Sequence, residues 1–272
     1  MNNTENPLTV SELQNLANLA RLDLIEISEG MRESIHWGSA FSIMEIAGVL
    51  YSNVIDEKKD MVLLSKGQGG PGIYALMHRL GLISDETWKT FHCDGSSLSE
   101  LMEYNKKLGF YISGGSLGLA LSYACGVGLL WKKTKKDGRI YVIMGDGEVD
   151  EGSVWEAFMS IGHFKLDNIT LIIDANGLQS DGEVDMIMPL PDLGKTLREF
   201  CWDVCEVDGH DCQSINQVLL QKSTGIPKLV ICHTIKGKGV SFMEGDPTWH
   251  DRTMTKAEFQ KARNEVNNCV VR

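Results

Sequence analysis

The sequence lacks the marks of several protein classes. Its seven cysteines (Cys93, Cys125, Cys201, Cys205, Cys212, Cys232 and Cys269) include no CxxC pair and leave an odd thiol, which argues against a disulfide framework and a zinc knuckle. The thiols are expected to be reduced and mostly buried. Basic residues are outnumbered, 26 Lys and Arg against 37 Asp and Glu, so a surface that tracks a nucleic-acid backbone is not expected. An anionic ligand needs a locally built site instead. No apolar run approaches the roughly 20 residues of a membrane span, and residues 1–9 are polar, without the basic flank and apolar stretch of a signal peptide. The expected location is therefore the cytoplasm, with no membrane contact. There is no internal repeat, linker or low-complexity tract. What is present is a chain of 272 residues, 43% hydrophobic and 23% charged, enough for one large domain or two small ones with a full core.

Periodicity supplies the elements. Thr9 and Glu12 have capping-box spacing, and Leu13, Leu16, Ala20, Leu24 and Ile27 then recur at helical intervals. A second helix is expected over 39–51. The glycine-rich stretch 65–71 reads as a loop feeding an apolar helix over 73–80, and a further glycine loop, 114–118, opens a small-residue helix reaching Gly128. Apolar runs over 139–144, 169–174, 202–207 and 228–234 read as strands, with helical segments over 154–164 and 213–222 between them. An apolar run without alternation suits a strand covered on both faces. The expected fold is thus α/β, a doubly wound and mostly parallel sheet with helices on both faces, whose ligands gather at the carboxyl ends of the strands.

At one such end stand Gly145, Asp146 and Gly147; Asp174, Ala175 and Asn176 end the next strand. One crossover brings Asp146 and Asn176 to the same rim. Mg²⁺ prefers oxygen ligands and usually takes one or two carboxylates, leaving positions for phosphate oxygens and water. One Asp, one Asn and a backbone carbonyl therefore suit a metal shared with a diphosphate. Flanking glycines let the backbone approach the anion, and the following helix offers free amides. Alone, the GDG turn marks only a capped strand-to-helix junction.

The run GDGEVDEGSVWEA over 145–157, continued by KLDN at 165–168 and DANGL at 174–178, resembles the thiamine diphosphate motif of transketolases. The resemblance extends over most of the chain. His36, Trp37, Gly38 and Ser39 resemble the family's SGHPG box, and SKGQ at 65–68 its SKGH loop. GSLG at 115–118 resembles TGSLGQG, and KGKGVSFME at 236–244 with Trp249 and His250 resembles the segment ending in WHG. The resemblance implies thiamine diphosphate and Mg²⁺ as cofactors, with Asp146, Asn176 and the carbonyl of Leu178 as metal ligands. It implies cofactor contacts from Ser39, Gln68, Gly115, Ser116, Leu117, Gly147, Glu148, Asn176, Lys236 and His250. His36 and His250 are the implied catalytic histidines. Glu151 and Glu156 match acidic residues at the family's cofactor-domain interface, and read equally well as solvated helix-start carboxylates.

Residues 1–272 would then form a single thiamine diphosphate domain. The pyrimidine-binding domain, with its activating glutamate, and the C-terminal domain are expected on a partner chain, in an α₂β₂ assembly. The implied reaction is transfer of a two-carbon ketol unit from a ketose to an aldehyde. A 2-oxo acid decarboxylating carboligase or dehydrogenase subunit, and a non-catalytic regulatory subunit, remain alternatives. Three departures bear on the choice: Gln68 and Leu101 stand where the family pattern has histidine, and Trp37 where it has proline. Glutamine only hydrogen-bonds and leucine does neither job of a histidine; Trp37 is expected to fill substrate space.

Overall fold

The computed structural model describes residues 7–221 and 224–271. Helix α1 (Val10–Ser28) is capped as the Thr9/Glu12 spacing predicts. The Thr9 hydroxyl accepts the Glu12 amide at 3.3 Å and the Glu12 carboxylate accepts the Thr9 amide at 2.7 Å. Residues 39–51, expected as one helix, divide instead into α2 (Trp37–Ser42) and α3 (Met44–Val49), followed by a π-helical turn, Leu50–Val54. The break falls beside Ser42, whose hydroxyl reaches both the Ser39 carbonyl (3.3 Å) and the Asp174 carboxylate (2.7 Å), a side-chain bond that competes with helix continuation.

Strand β1 (Met61–Leu64) was not expected; four residues are too few to show a period. The glycine stretch after it is part loop and part helix, because α4 (Gly70–Arg79) starts at Gly70 with proline in its first turn, where the missing amide costs nothing. Helix α5 (Asp85–Trp88) and α6 (Leu119–Thr134) follow, α6 running on past Gly128. Then come β2 (Ile140–Gly145), α7 (Gly152–His163), β3 (Ile169–Ala175), α8 (Val184–Ile187), α9 (Leu193–Glu199), β4 (Asp203–Asp208), α10 (Cys212–Leu220), β5 (Lys228–His233) and α11 (Lys256–Asn268). Of the helix expected over 213–222, Lys222 lies outside the described residues.

All five strands are parallel, in the order β1-β2-β3-β5-β4. Tyr141, Ile143, Ile172 and Val230 point into a core shared with α1, α3, α4, α10 and α11. Their neighbours Val142, Met144, Leu171 and Ile173 point into a second core with α6, α7 and α9. Both faces are therefore covered, which explains why these strands read as unbroken apolar runs. Register places Gly145 beside Asp174 and Asp174 beside Cys232, so the loops after β2, β3 and β5 leave the sheet at one level.

The cysteines correct one expectation. All seven are free, but only Cys212 and Cys232 are buried, and Cys93, Cys201 and Cys269 are exposed; these three occupy turns and a helix end rather than inward strand positions. No described helix is long and apolar enough to cross a membrane.

Candidate functional site

The carboxyl ends of β1, β2, β3 and β5 deliver the Ser65, Asp146, Asn176 and Lys236 loops to one cleft. Its lining includes Ser39, Lys66, Gln68, Leu117, Asp146, Gly147, Glu148, Asn176, Leu178, Gln179, Lys236 and His250. The structure thus brings together every expected site residue except three: Gly115 and Ser116 are exposed beside Leu117, and His36 lies against His250, the ring centroids 5.0 Å apart and edge-on.

Local bonds cross-tie the loops. Asp146 Oδ1 accepts the Gly147 amide at 2.9 Å and Oδ2 the Gly177 amide at 2.6 Å, joining the β2 loop to the β3 loop. Asn176 donates through Nδ2 to Asp174 at 3.0 Å and accepts the Leu178 amide on Oδ1 at 3.1 Å. Because a carboxylate only accepts, Asp174 fixes which way the Asn176 amide faces. Asp174 itself is fully buried against Lys66, Ser42 and Thr234. Burial alone would raise its carboxyl, but the Lys66 ammonium and the two hydroxyls outweigh that and hold it below its ordinary value.

Glu148 is a different kind of lining residue. Its carboxylate accepts from the Ser65 hydroxyl (2.5 Å), the Gly118 amide (2.9 Å) and the Gly145 amide (2.8 Å), clamping three loops; burial still raises it above the usual carboxylate value. The Gly67 and Gly114 loops touch so closely that a Cβ on Gly67 would meet the Gly114 Cα at 2.6 Å. Only glycine fits there.

Asp146, Lys236 and His250 remain out of balance. Burial, reinforced by Asp174, pushes the Asp146 carboxyl up to about 6, against the pull of two amides and Lys66. Burial and the Lys66 charge bring the Lys236 ammonium down to about 8. Its Nζ reaches the carbonyls of Gln179 (2.9 Å) and Leu178 (3.4 Å) and His250 Nδ1 (3.0 Å). His250 is driven down to about 4 by burial, Lys236 and His36, so it is neutral at pH 7. An ammonium donating to Nδ1 places its proton on Nε2.

These features test whether a metal diphosphate would fit. Asp146 makes no ion pair among the described residues, and its neighbours Asn176 and the Leu178 carbonyl add only oxygen donors, the set a hard divalent ion prefers. Lys66 and Lys236 line the same cleft; Lys66 pairs with Asp174, and Lys236 makes no ion pair among the described residues. Gly147 lets the turn close tightly, since a Cβ there would meet Gln179 Cγ at 2.7 Å. The Gln68 Oε1 is buried without a partner among the described residues. A group that is a cation on one side and an anion on the other meets these demands together.

Sequence reasoning passed over Lys66, Asp174 and Gln179 as site residues, although all three adjoin or lie within the motifs it used. A lysine inside the glycine-rich 65–71 stretch was the available signal. Of the departures, Trp37 corrects an expectation: it is buried, bonds the Arg252 carbonyl through Nε1 at 2.9 Å and packs edge-on to Phe41 and Phe259. It fills the core under α11, not the cleft. Leu101 is likewise not among the cleft lining.

Residues 13–268 match the family model described as "Transketolase, thiamine diphosphate binding domain". The chain is 35% identical over 266 residues to the 6-deoxy-6-sulfo-D-fructose transketolase subunit SqwG of Clostridium sp. strain MSTE9, covering 94% of this chain and 96% of that one. It is 34% identical over 269 residues to a protein of Phocaeicola vulgatus named as a subunit of apulose-4-phosphate transketolase, covering 95% and 94%. Among solved structures it is similar to a transketolase from Campylobacter jejuni, with a TM-score of 0.82 at 26% identity. That match covers 95% of this chain but 42% of the other. With that fold, those motifs and those relatives, the chain belongs to the transketolase family, as its thiamine diphosphate-binding domain.

Proposed function

We propose that this chain is the thiamine diphosphate- and Mg²⁺-binding subunit of a two-subunit transketolase that moves a two-carbon ketol unit from a ketose to an aldehyde. The observation that carries the reading is the convergence in one cleft, at the sheet's carboxyl rim, of Asp146, Asn176 and Leu178 with the two lysines Lys66 and Lys236; an acid raised to about 6 and a lysine lowered to about 8 accompany it. Asp146, Asn176 and the Leu178 carbonyl would hold the metal. Lys236, Gly147, Ser39 and Gln68 would border the diphosphate, and Gly115, Ser116 and Leu117 the aminopyrimidine. Glu148 would act by holding these loops at their spacing. When bound, the cofactor supplies the carbon–carbon bond chemistry. The chain's own residues bind and orient it, while His36 and neutral His250 hydrogen-bond or exchange protons with the reacting oxygens.

A partner chain supplying the pyrimidine-binding domain and its glutamate is supported by the relatives. SqwG and the apulose-4-phosphate protein are named as subunits and are spanned almost end to end. We take residues 1–272 as one domain and the assembly as α₂β₂. Both of those relatives are named for sugars carrying an anionic group, which favours a ketose over a 2-oxo acid as donor.

The test is a reconstitution. Calorimetry should show thiamine diphosphate binding that requires Mg²⁺, and the chain mixed with its second-half subunit should turn over a ketose only when both cofactors are present. Light scattering of the mixture reports the stoichiometry. Turnover of pyruvate but no ketose would replace the donor class; cofactor binding without turnover in any partner mixture would favour a regulatory subunit.

A further inference from the structure

The loop over 98–104 carries a side chain that the cleft does not account for. Leu98 and Met102 are buried on either side of Glu100. Met102 is tied to two loops of the site, its amide donating to the Gly67 carbonyl at 3.2 Å and its carbonyl accepting the Gly114 amide at 2.6 Å. The Ser99 hydroxyl donates to the Leu101 carbonyl at 2.7 Å, closing the turn between them. With its backbone so held, Glu100 turns to His36: Oε1 accepts the His36 amide at 3.1 Å and makes a short hydrogen bond with ring Nδ1. One carboxylate oxygen therefore holds the backbone and the ring of the same histidine. Asp251 Oδ1, at 3.9 Å from Nδ1, is too far for a hydrogen bond. His36 Nε2 makes no hydrogen bond among the described residues.

We propose that Glu100 is a positioning residue for His36, keeping the ring proton on Nδ1 and leaving Nε2 to face the reacting oxygens. A carboxylate accepts only, so Nδ1 must donate; a carboxylate behind an imidazole fixes its tautomer and orientation in the same way in hydrolytic triads. Glu100 brings this ionisable group to His36 one residue before Leu101, where the family pattern has histidine. The inference rests on the reading of His36 as a pocket-side group, and its primary test needs neither cofactor nor partner.

That test is a two-bond ¹⁵N–¹H correlation spectrum of the chain labelled with ¹⁵N-histidine, His36 being assigned with His36→Asn. The wild-type ring should show a protonated Nδ1 and an unprotonated Nε2. Glu100→Ala should shift both nitrogens toward the Nε2-protonated mixture of free histidine, and Glu100→Asp should restore part of the difference. In reconstituted enzyme, the isosteric Glu100→Gln should lower kcat by about 10-fold or more with a smaller change in KM. Identical His36 nitrogen shifts in wild type and in folded Glu100→Ala or Glu100→Gln would overturn the proposal. So would a His36 shift on adding Mg²⁺ or Zn²⁺ that a chelator reverses. His36, Glu100 and Asp251 offer ligand atoms within 4.8 Å of one another, and would then be a cation site. Failure of the transketolase reading would appear separately, as absent cofactor binding with the ring tautomer unchanged.

Discussion

Under α1 and α3, Arg21 and Glu45 form a fully buried two-point ion pair, with Nη1–Oε1 and Nη2–Oε2 both 2.7 Å; at the sheet's carboxyl rim, Asp146 and Lys236 share a cleft without such a match. The first cluster's charges are matched. His210 Nδ1 meets Glu45 Oε2 at 3.0 Å, and because His210 Nε2 accepts the Ile235 amide at 2.8 Å, the ring proton sits on Nδ1. Gln14 adds a donor at 3.1 Å. Burial favours a neutral Glu45, yet Arg21 and His210 overcome it and hold the carboxyl down at about 2. In the cleft the same burial wins: Asp146 rises to about 6 and Lys236 falls to about 8. Charges met inside the chain are pushed toward ionisation, and charges without an ion-pair partner among the described residues are pushed toward neutrality.

The comparison breaks first where removal costs most. Glu45→Ala leaves the Arg21 charge buried and unpaired, a loss of about 3–5 kcal/mol. In a chain of this size that is a fall of roughly 10 °C in Tm, read by calorimetry or denaturant unfolding. Cofactor affinity should decline much less, through the Ile235 amide next to Lys236 alone; equal losses in both would erase the distinction. Asp146→Asn should do the reverse. It removes an unbalanced buried acid, so Tm without ligand should hold or rise. Mg²⁺-dependent cofactor affinity should fall by about 100-fold or more, at least the scale seen for groups that only support a metal's ligands. Titration calorimetry with and without Mg²⁺ checks it.

A smaller contrast separates two departures from the family pattern. Trp37→Phe deletes the bond to the Arg252 carbonyl and some packed surface, costing about 1–2 kcal/mol, and should leave the preferred donor unchanged. Gln68→His alters a side chain in the cleft whose acceptor lacks a partner among the described residues. It should change KM or donor preference with little change in Tm. The opposite pattern would put Trp37 back in the substrate space.

What was legible follows from the same physics. β2, β3 and β5 were readable because both their faces are covered, and the Asp146 and Asn176 loops were readable because strand ends on one rim converge. β1 was too short, and α11 buries only Phe259, Ala262 and Val266 against an otherwise polar sequence, although Thr255 and Glu258 form a capping box there. Lys66 and Asp174 sat inside motifs yet gained a role only through their mutual burial. Glu100 looked like any loop glutamate. Its partner lies 64 residues away, and nothing in local sequence records a contact made only by folding.

The subtlest prediction concerns pH. Glu45 has an ordinary value near 4.5 and a folded value of about 2, so its contribution to stability is fully present above the ordinary value. It is lost as pH falls from about 4.5 toward about 2, because the unfolded chain takes up the proton first. Glu45→Gln has no such proton to bind. Acids away from Glu45 titrate alike in both proteins, so the difference in unfolding free energy between wild type and Glu45→Gln cancels their background. That difference should narrow steadily as pH falls below 4.5. A gap that stays constant down to pH 3 would mean that hydrogen bonding, which glutamine can partly supply, holds Arg21 and His210. The charge on Glu45 would then matter little, and the contrast with the cleft would lose its electrostatic basis.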